Sequence, residues 1–242
     1  MTCPARLVGD GPLRSIDPAE AAAYDGPGFV WVHIEGGDGG NLELLRNYDD
    51  IPDIAANALV ATETRPRCDR IEDGAIVNLR GDAAEKSADA DRLASIRFWV
   101  RGGRVNSVTR RPIAAMETVV AQAEAGKILD PGDLIAAFAR AISREVDPQV
   151  ADLGDTLDDC ETELSPRNIY RLRRVIAEIR SEAIAFRRFV APDRDALATL
   201  SNLEVDWLAK DDRLHIREPA DRFARMAEEL EAVRERASLL HE

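Results

Sequence analysis

At Pro131 the spacing of apolar residues changes from every second position to every third or fourth, and this switch constrains the fold more than any other feature. Leu134, Phe138, Ile142, Val146, Val150, Leu153 and Leu157 trace one face of a long amphipathic helix. Pro148 lacks an N–H and clashes with the preceding turn, so a kink is expected there. After Ser165-Pro166 a second stripe, Ile169, Leu172, Ile176, Ile179, Ala183 and Phe186, has the 3,4 spacing of a coiled-coil-like seam. These two helices should fold back as an antiparallel hairpin. Beyond Pro219 a last helix carries Phe223, Met226, Leu230, Val233, Ala237 and Leu240, a pattern still running at Glu242. A seam so apolar should pack on the body of the protein or on symmetry mates.

Charge patterning adds a further expectation. The first hairpin helix carries Asp152, Asp155, Asp158, Asp159, Glu161 and Glu163. The second carries Arg167, Arg171, Arg173, Arg174, Arg180, Arg187 and Arg188. Opposite signs can face each other across the hairpin, and two independently solvated faces are the alternative.

Before Pro131 the chain reads as α/β. Phe29 to Ile34 is β-branched and aromatic, a strand buried on both faces, and the Gly-rich run Gly36 to Gly40 after it reads as a turn. Short helices are expected over Asn41 to Tyr48 and Pro52 to Thr62, with Asn41 and Asp50 as caps near their starts. A second strand falls at Gly74 to Arg80, and the polar segment Gly81 to Asp91 reads as an exposed, mobile loop. Ser95 to Val100 and Arg104 to Thr109 alternate around Gly102-Gly103, which supplies the positive φ of a hairpin turn. A helix over Ile113 to Ala125 should end on Gly126. The fold class is therefore α/β (α+β), a mixed sheet flanked by helices, followed by a helical hairpin and a long stalk helix. The division falls into an α/β domain, 1–128, and a helical part, 129–242.

Composition narrows the function. A net charge of -13 disfavours nucleic acid, whose phosphates demand a basic surface, and suits cations instead. Three separated cysteines, Cys3, Cys68 and Cys160, make neither a disulfide framework nor a zinc ribbon and fit a reducing compartment. Nothing resembles a signal peptide, and no run of about 18 uncharged apolar residues offers a spanning helix, so the chain as given reads as soluble.

No HExxH, GxSxG, GxxxxGK[ST] or strand-coupled GxGxxG motif occurs, which argues against an enzyme and against a bound cofactor. His33, beside Trp31 on one strand face, reads as a packed histidine. Asp211, Asp212 and His215 are spaced to share one helical face, a mixed oxygen and nitrogen ligand set suited to zinc; a solvated helix face is the alternative. Cys160, with Asp158, Asp159 and Glu163 around it, could ligate as a thiolate or pack as a small apolar residue.

The segment Ile51 to Gly81 resembles the ZntB branch of the CorA metal-ion transporters. Further anchors are Trp31-Val32-His33, Glu63-Thr64-Arg65-Pro66-Arg67, Asp73-Gly74 leading into Leu79-Arg80-Gly81, Ser95 to Val100, and Ala191-Pro192-Asp193-Arg194-Asp195-Ala196-Leu197. The resemblance implies a domain on the cytoplasmic face of the inner (cell) membrane and a homopentamer that forms a funnel. It also implies two transmembrane helices following Glu242, outside this chain. Zinc or magnesium would be the transported or regulatory ion, with zinc movement coupled to protons. Where CorA magnesium channels place acidic residues for a regulatory ion, this chain has Asn57 and Ala58, which tilts the reading toward zinc. A CorA-type magnesium or cobalt channel domain and a stand-alone coiled-coil scaffold are the alternatives.

Overall fold

The structure, a computed structural model, describes residues 5–36, 40–62, 65–85, 92–163 and 168–241. Seven strands form one mixed sheet: β1 (Ala5–Val8), β2 (Arg14–Ser15), β3 (Phe29–Glu35), β4 (Arg67–Ile71), β5 (Gly74–Asp82), β6 (Leu93–Arg101) and β7 (Arg104–Thr109). Their spatial order is β2-β1-β3-β7-β6-β5-β4, and only the β3–β7 pair is parallel. The β6–β7 hairpin turns on Gly102-Gly103 as the sequence predicts, with Arg101 opposite Arg104 and Gly103 at φ 70°.

Helices cover both faces. On one lie α1 (Pro18–Ala23), α2 (Gly40–Arg46) and α3 (Asp53–Val60), packing Ala21, Leu45, Ala55 and Leu59 against Val30, Val32, Ile76, Trp99 and Val108. On the other lie α4 (Ala115–Glu124) and three long helices, α5 (Pro131–Glu163), α6 (Ile169–Ser201) and α7 (Lys210–His241). Trp31, Phe98 and Val105 meet Phe138 and Ile142 there, and the buried cluster continues without a break into the helix seams. No strand follows Pro131 among the described residues.

Ion pairs set the helix directions. Asp133, Arg140, Asp147 and Asp158 of α5 meet His215, Glu218, Arg222 and Arg236 of α7 in rising order, so these helices run parallel. Arg187 and Ser201 of α6 meet Glu231 and Arg213, so α6 runs opposite to α7. The hairpin is therefore a three-helix bundle in which α7 packs along both partners. The seam of α7 is consumed inside the chain: Phe223, Met226, Leu230 and Val233 are each at most 2% exposed.

Several expectations need correction. The last helix starts at Lys210 rather than beyond Pro219, which sits within it; α5, too, continues past its internal Pro148. Buried apolar side chains on both flanks hold a helix through the bond a proline removes. Opposite charges across α5 and α6 meet in one described pair, Glu163–Arg171 at 2.9 Å; otherwise the acids of α5 pair with arginines of α7. The backbone of Asn41 lies within α2, and α3 begins after Pro52 with no side-chain cap, so Asp50 does not cap α3. The expected loop begins later than Gly81, since β5 runs to Asp82; its residues 86–91, like Ser165-Pro166 and part of the Gly36 to Gly40 turn, lie outside the described residues. The Gly126 stop holds: Lys127 N–H bonds the Gln122 carbonyl and Gly126 N–H that of Ala123, with Gly126 at φ 68°.

Candidate metal site at the junction of two helix N-termini

The N-termini of α5 and α7 meet, and each opens with acidic residues. Asp130 caps α5, its Oδ1 accepting the Asp133 N–H at 2.9 Å, while Asp133 Oδ2 reaches back to the Leu129 N–H at 3.2 Å. At α7, Asp212 Oδ2 accepts the Ala209 N–H at 2.6 Å. Both third-position carboxylates thus satisfy backbone donors at the start of their own helices, and Asp133 keeps Oδ1 turned toward α7.

His215, one turn along α7, completes the group. Its Nδ1 lies 3.2 Å from Asp133 Oδ1, and one ligand atom each from Asp133, Asp212 and His215 falls within 4.8 Å of the others. Gly132 makes the approach possible: a Cβ there would stand 2.6 Å from Asp212 Cγ and Oδ2, so the carboxyl lies directly on the α5 backbone. Asp212 is 3% exposed, whereas the His215 side chain is half exposed, leaving the group open on one side.

The electrostatics of the junction are unfavourable to anions held together. Burial first, then the charge of Asp130, pushes Asp212 up to about 6, against the pull of the Ala209 hydrogen bond. Asp130 is raised as well, again chiefly by burial. Two carboxylate oxygens and an imidazole nitrogen are ligand types that zinc takes, whereas a magnesium site would take oxygen throughout.

The four residues singled out from sequence separate here. Asp212 and His215 come together, joined by Asp133, which sequence reading passed over. Asp211 is exposed and lies about 100° around α7 from Asp212. Cys160 is 4% exposed in the helix seam, its thiol pushed up by burial, and lies about 40 Å along α5 from Asp133 at 1.5 Å per residue. Asp130-Pro131-Gly132-Asp133 does carry a helix-start signal, but its convergence with Asp212 is tertiary.

Two other polar clusters are occupied by the chain itself. Asp49 takes Arg101, Arg104 and Asn106, tying the α2–α3 connection to the β6–β7 hairpin. His33 Nδ1 and Trp31 Nε1 both meet Ser107 Oγ, at 2.9 and 2.8 Å, and burial brings His33 down to about 4, a neutral packed histidine. Asn57 is exposed and Ala58 half-buried on α3. Glu63 and Thr64 lie outside the described residues, while Arg65, Pro66 and Arg67 border a pocket shared with Pro192, Asp195 and Ala196 of α6. Two separate anchors of the resemblance are therefore neighbours in space.

A family model described as "CorA-like Mg2+ transporter protein" matches residues 26–242. The chain belongs to the CorA-like transporter family. Among curated relatives, the zinc transport protein ZntB of Pectobacterium carotovorum subsp. carotovorum (strain PC1) is 27% identical over 236 residues, spanning 97% of this chain and 71% of that protein. The full-length CmaX protein superposes with a TM-score of 0.80 at 27% identity, covering 98% of this chain and 74% of that one. The ZntB cytoplasmic domain from Vibrio parahaemolyticus RIMD 2210633 shares the fold at a TM-score of 0.74 and 18% identity, with 98% and 93% covered. No helix among the described residues is long and apolar enough to cross a membrane.

Proposed function

We propose that this chain is the metal-responsive cytoplasmic part of a divalent-cation transporter, that zinc is the ion it answers to, and that Asp133, Asp212 and His215 hold that ion. In the whole transporter it would act as a homopentamer attached to the membrane through helices of the kind the resemblance implies after Glu242. The observation that carries the reading is the convergence of two buried or half-buried carboxylates and an imidazole where α5 meets α7. A cation there relieves the repulsion among Asp130, Asp133 and Asp212, and so stabilises the α5–α7 junction by linkage. The imidazole favours zinc over magnesium, and the 27% identical relative is named a zinc transport protein.

Isothermal titration of the chain with zinc and with magnesium at matched ionic strength tests this. Zinc should bind with a defined stoichiometry. His215→Ala, a substitution at a half-exposed side chain, should weaken it at least about tenfold, the loss of one ligand. Asp211→Asn and Cys160→Ser should leave it unchanged, and magnesium should bind weakly. Equal, feeble heats for both metals, indifferent to His215→Ala, would reduce the group to counter-ion screening.

A further inference from the structure

The sheet face under α3 gathers positive charge at one end. Register places Ser95 of β6 opposite Arg80 of β5, and Arg97 opposite both Asn78 of β5 and Val108 of β7. Side chains two residues apart share a face, so Arg110 falls beside Arg97 just past the end of β7. Arg80, Arg97, Arg110 and Arg111 line a pocket of about 240 Å³ together with Leu93, Ala94 and Ser95, with no carboxylate among the described lining residues.

Arg97 is the group the fold does not explain. It is 1% exposed, and Nε, Nη1 and Nη2 have no hydrogen-bond partner among the described residues. A buried guanidinium offers five donors, and leaving them unmet is among the costliest arrangements a core can hold. Burial, and then the charge of Arg110, pulls its pKa down to about 10, in the direction an unpaired cation must go. Its neighbours are held in place by the backbone: Arg110 Nη2 donates to the Val60 carbonyl and Arg111 Nη2 to that of Leu93, both at 3.1 Å. Such anchoring fixes the guanidinium planes before any ligand arrives, which lowers the entropic cost of binding.

We propose that this pocket binds a small doubly charged oxyanion of the phosphate or sulfate type, gripped by the Arg97 guanidinium and flanked by Arg110 and Arg111. The planar fork of arginine matches two oxygens of such an anion, and a divalent charge answers the unpartnered Arg97 cation with Arg110 beside it. The site is independent of the Asp133, Asp212 and His215 group, which lies at the helix junction beyond the opposite face of the sheet.

Thermal unfolding of the chain at matched ionic strength in chloride, acetate, sulfate and orthophosphate, followed by titration calorimetry with orthophosphate, tests the proposal. Sulfate and orthophosphate should raise Tm, whereas chloride and acetate should not. Arg97→Met, close in length and uncharged, should unfold in chloride no earlier than the parent and lose the orthophosphate shift. Arg110→Gln should weaken orthophosphate about tenfold through loss of a charge-assisted contact. Glycerol 3-phosphate separates two sources of the same chemistry: tighter binding than orthophosphate assigns the pocket to a phosphate ester, weaker binding to the free anion. Equal shifts in chloride and phosphate would overturn the proposal, as would a phosphate shift that survives in Arg97→Met. Should Arg97→Met fail to fold, unchanged orthophosphate affinity in Arg110→Gln would overturn it alone.

Discussion

Asp193 is fully buried on α6 and accepts the backbone N–H of Arg80 at 3.1 Å, where β5 has outrun its edge partner β4. Its other oxygen has no partner among the described residues, and burial raises its pKa well above the ordinary carboxylate range. The folded state therefore holds this proton more tightly than the unfolded chain does. The stability the protonated form contributes is full below about pH 4 and is lost as pH rises toward the folded pKa. Asp193→Asn keeps an acceptor for the Arg80 N–H and cannot ionise. Its urea midpoint should overtake that of the parent progressively as pH rises from about 4 to 8. Parallel curves across that range would mean that Asp193 is ionised and compensated. Single residues were also where sequence reading was least complete. Asp212 and His215 stand three residues apart, about one turn of a single helix, and are visible in one dimension, but Asp133 reaches them only because α5 and α7 run parallel. The solitude of Arg97 is likewise invisible until β5, β6 and β7 are in register.

Elements with a strong period were legible, and elements without one were not. The stripes of α5 and α6 and the β6–β7 hairpin fall where the apolar spacing puts them. β4 was missed because Arg67-Cys68-Asp69-Arg70-Ile71 has no apolar alternation; it is an edge strand whose charges also deter pairing with other chains. β2 consists of two exposed residues, and β1 of four, so neither offers a period long enough to read. Pro219 was taken as a boundary because local preference disfavours proline inside a helix, yet Ile216, Ala220 and Phe223 are buried on both sides of it. Within α5, Gly154 carries the flexibility cost of glycine in a helix interior, and a Cβ there would lie 3.3 Å from Glu229 Oε1, a movable atom. Gly154→Ala should thus stabilise the chain by about 1 kcal/mol, read as a shift in the urea midpoint with unchanged slope. Pro148→Ala restores a donor for the Arg144 carbonyl and should add about 1–3 kcal/mol in the same assay. A lower midpoint for Pro148→Ala would show that the packing of α5 depends on the bend a proline imposes.

At the scale of the whole molecule, one face of the sheet and the long helices share a continuous buried cluster, from Trp31 and Phe98 through Phe138 to Phe223 and Ala237. The helix junction is thereby coupled mechanically to the bundle: a ligand that draws Asp133 toward Asp212 acts on two helices of 33 and 32 residues at their starts. Stabilisation by zinc should therefore appear as a cooperative rise in Tm of the whole chain, growing with zinc concentration above the dissociation constant. The order of elements was legible from periodicity, and the family from anchors such as Arg65-Pro66-Arg67 and Ala191 to Leu197, which the fold brings together. The proposed ligand set is legible only in part, since a group assembled from two helix N-termini leaves half of its signal on each. The most direct measurement is anomalous diffraction at the zinc edge from crystals of the chain soaked in zinc. The account predicts one strong peak within about 2.0–2.2 Å of an oxygen of Asp133, an oxygen of Asp212 and a ring nitrogen of His215. Peaks confined to exposed carboxylates elsewhere, with none at the α5–α7 junction, would contradict it.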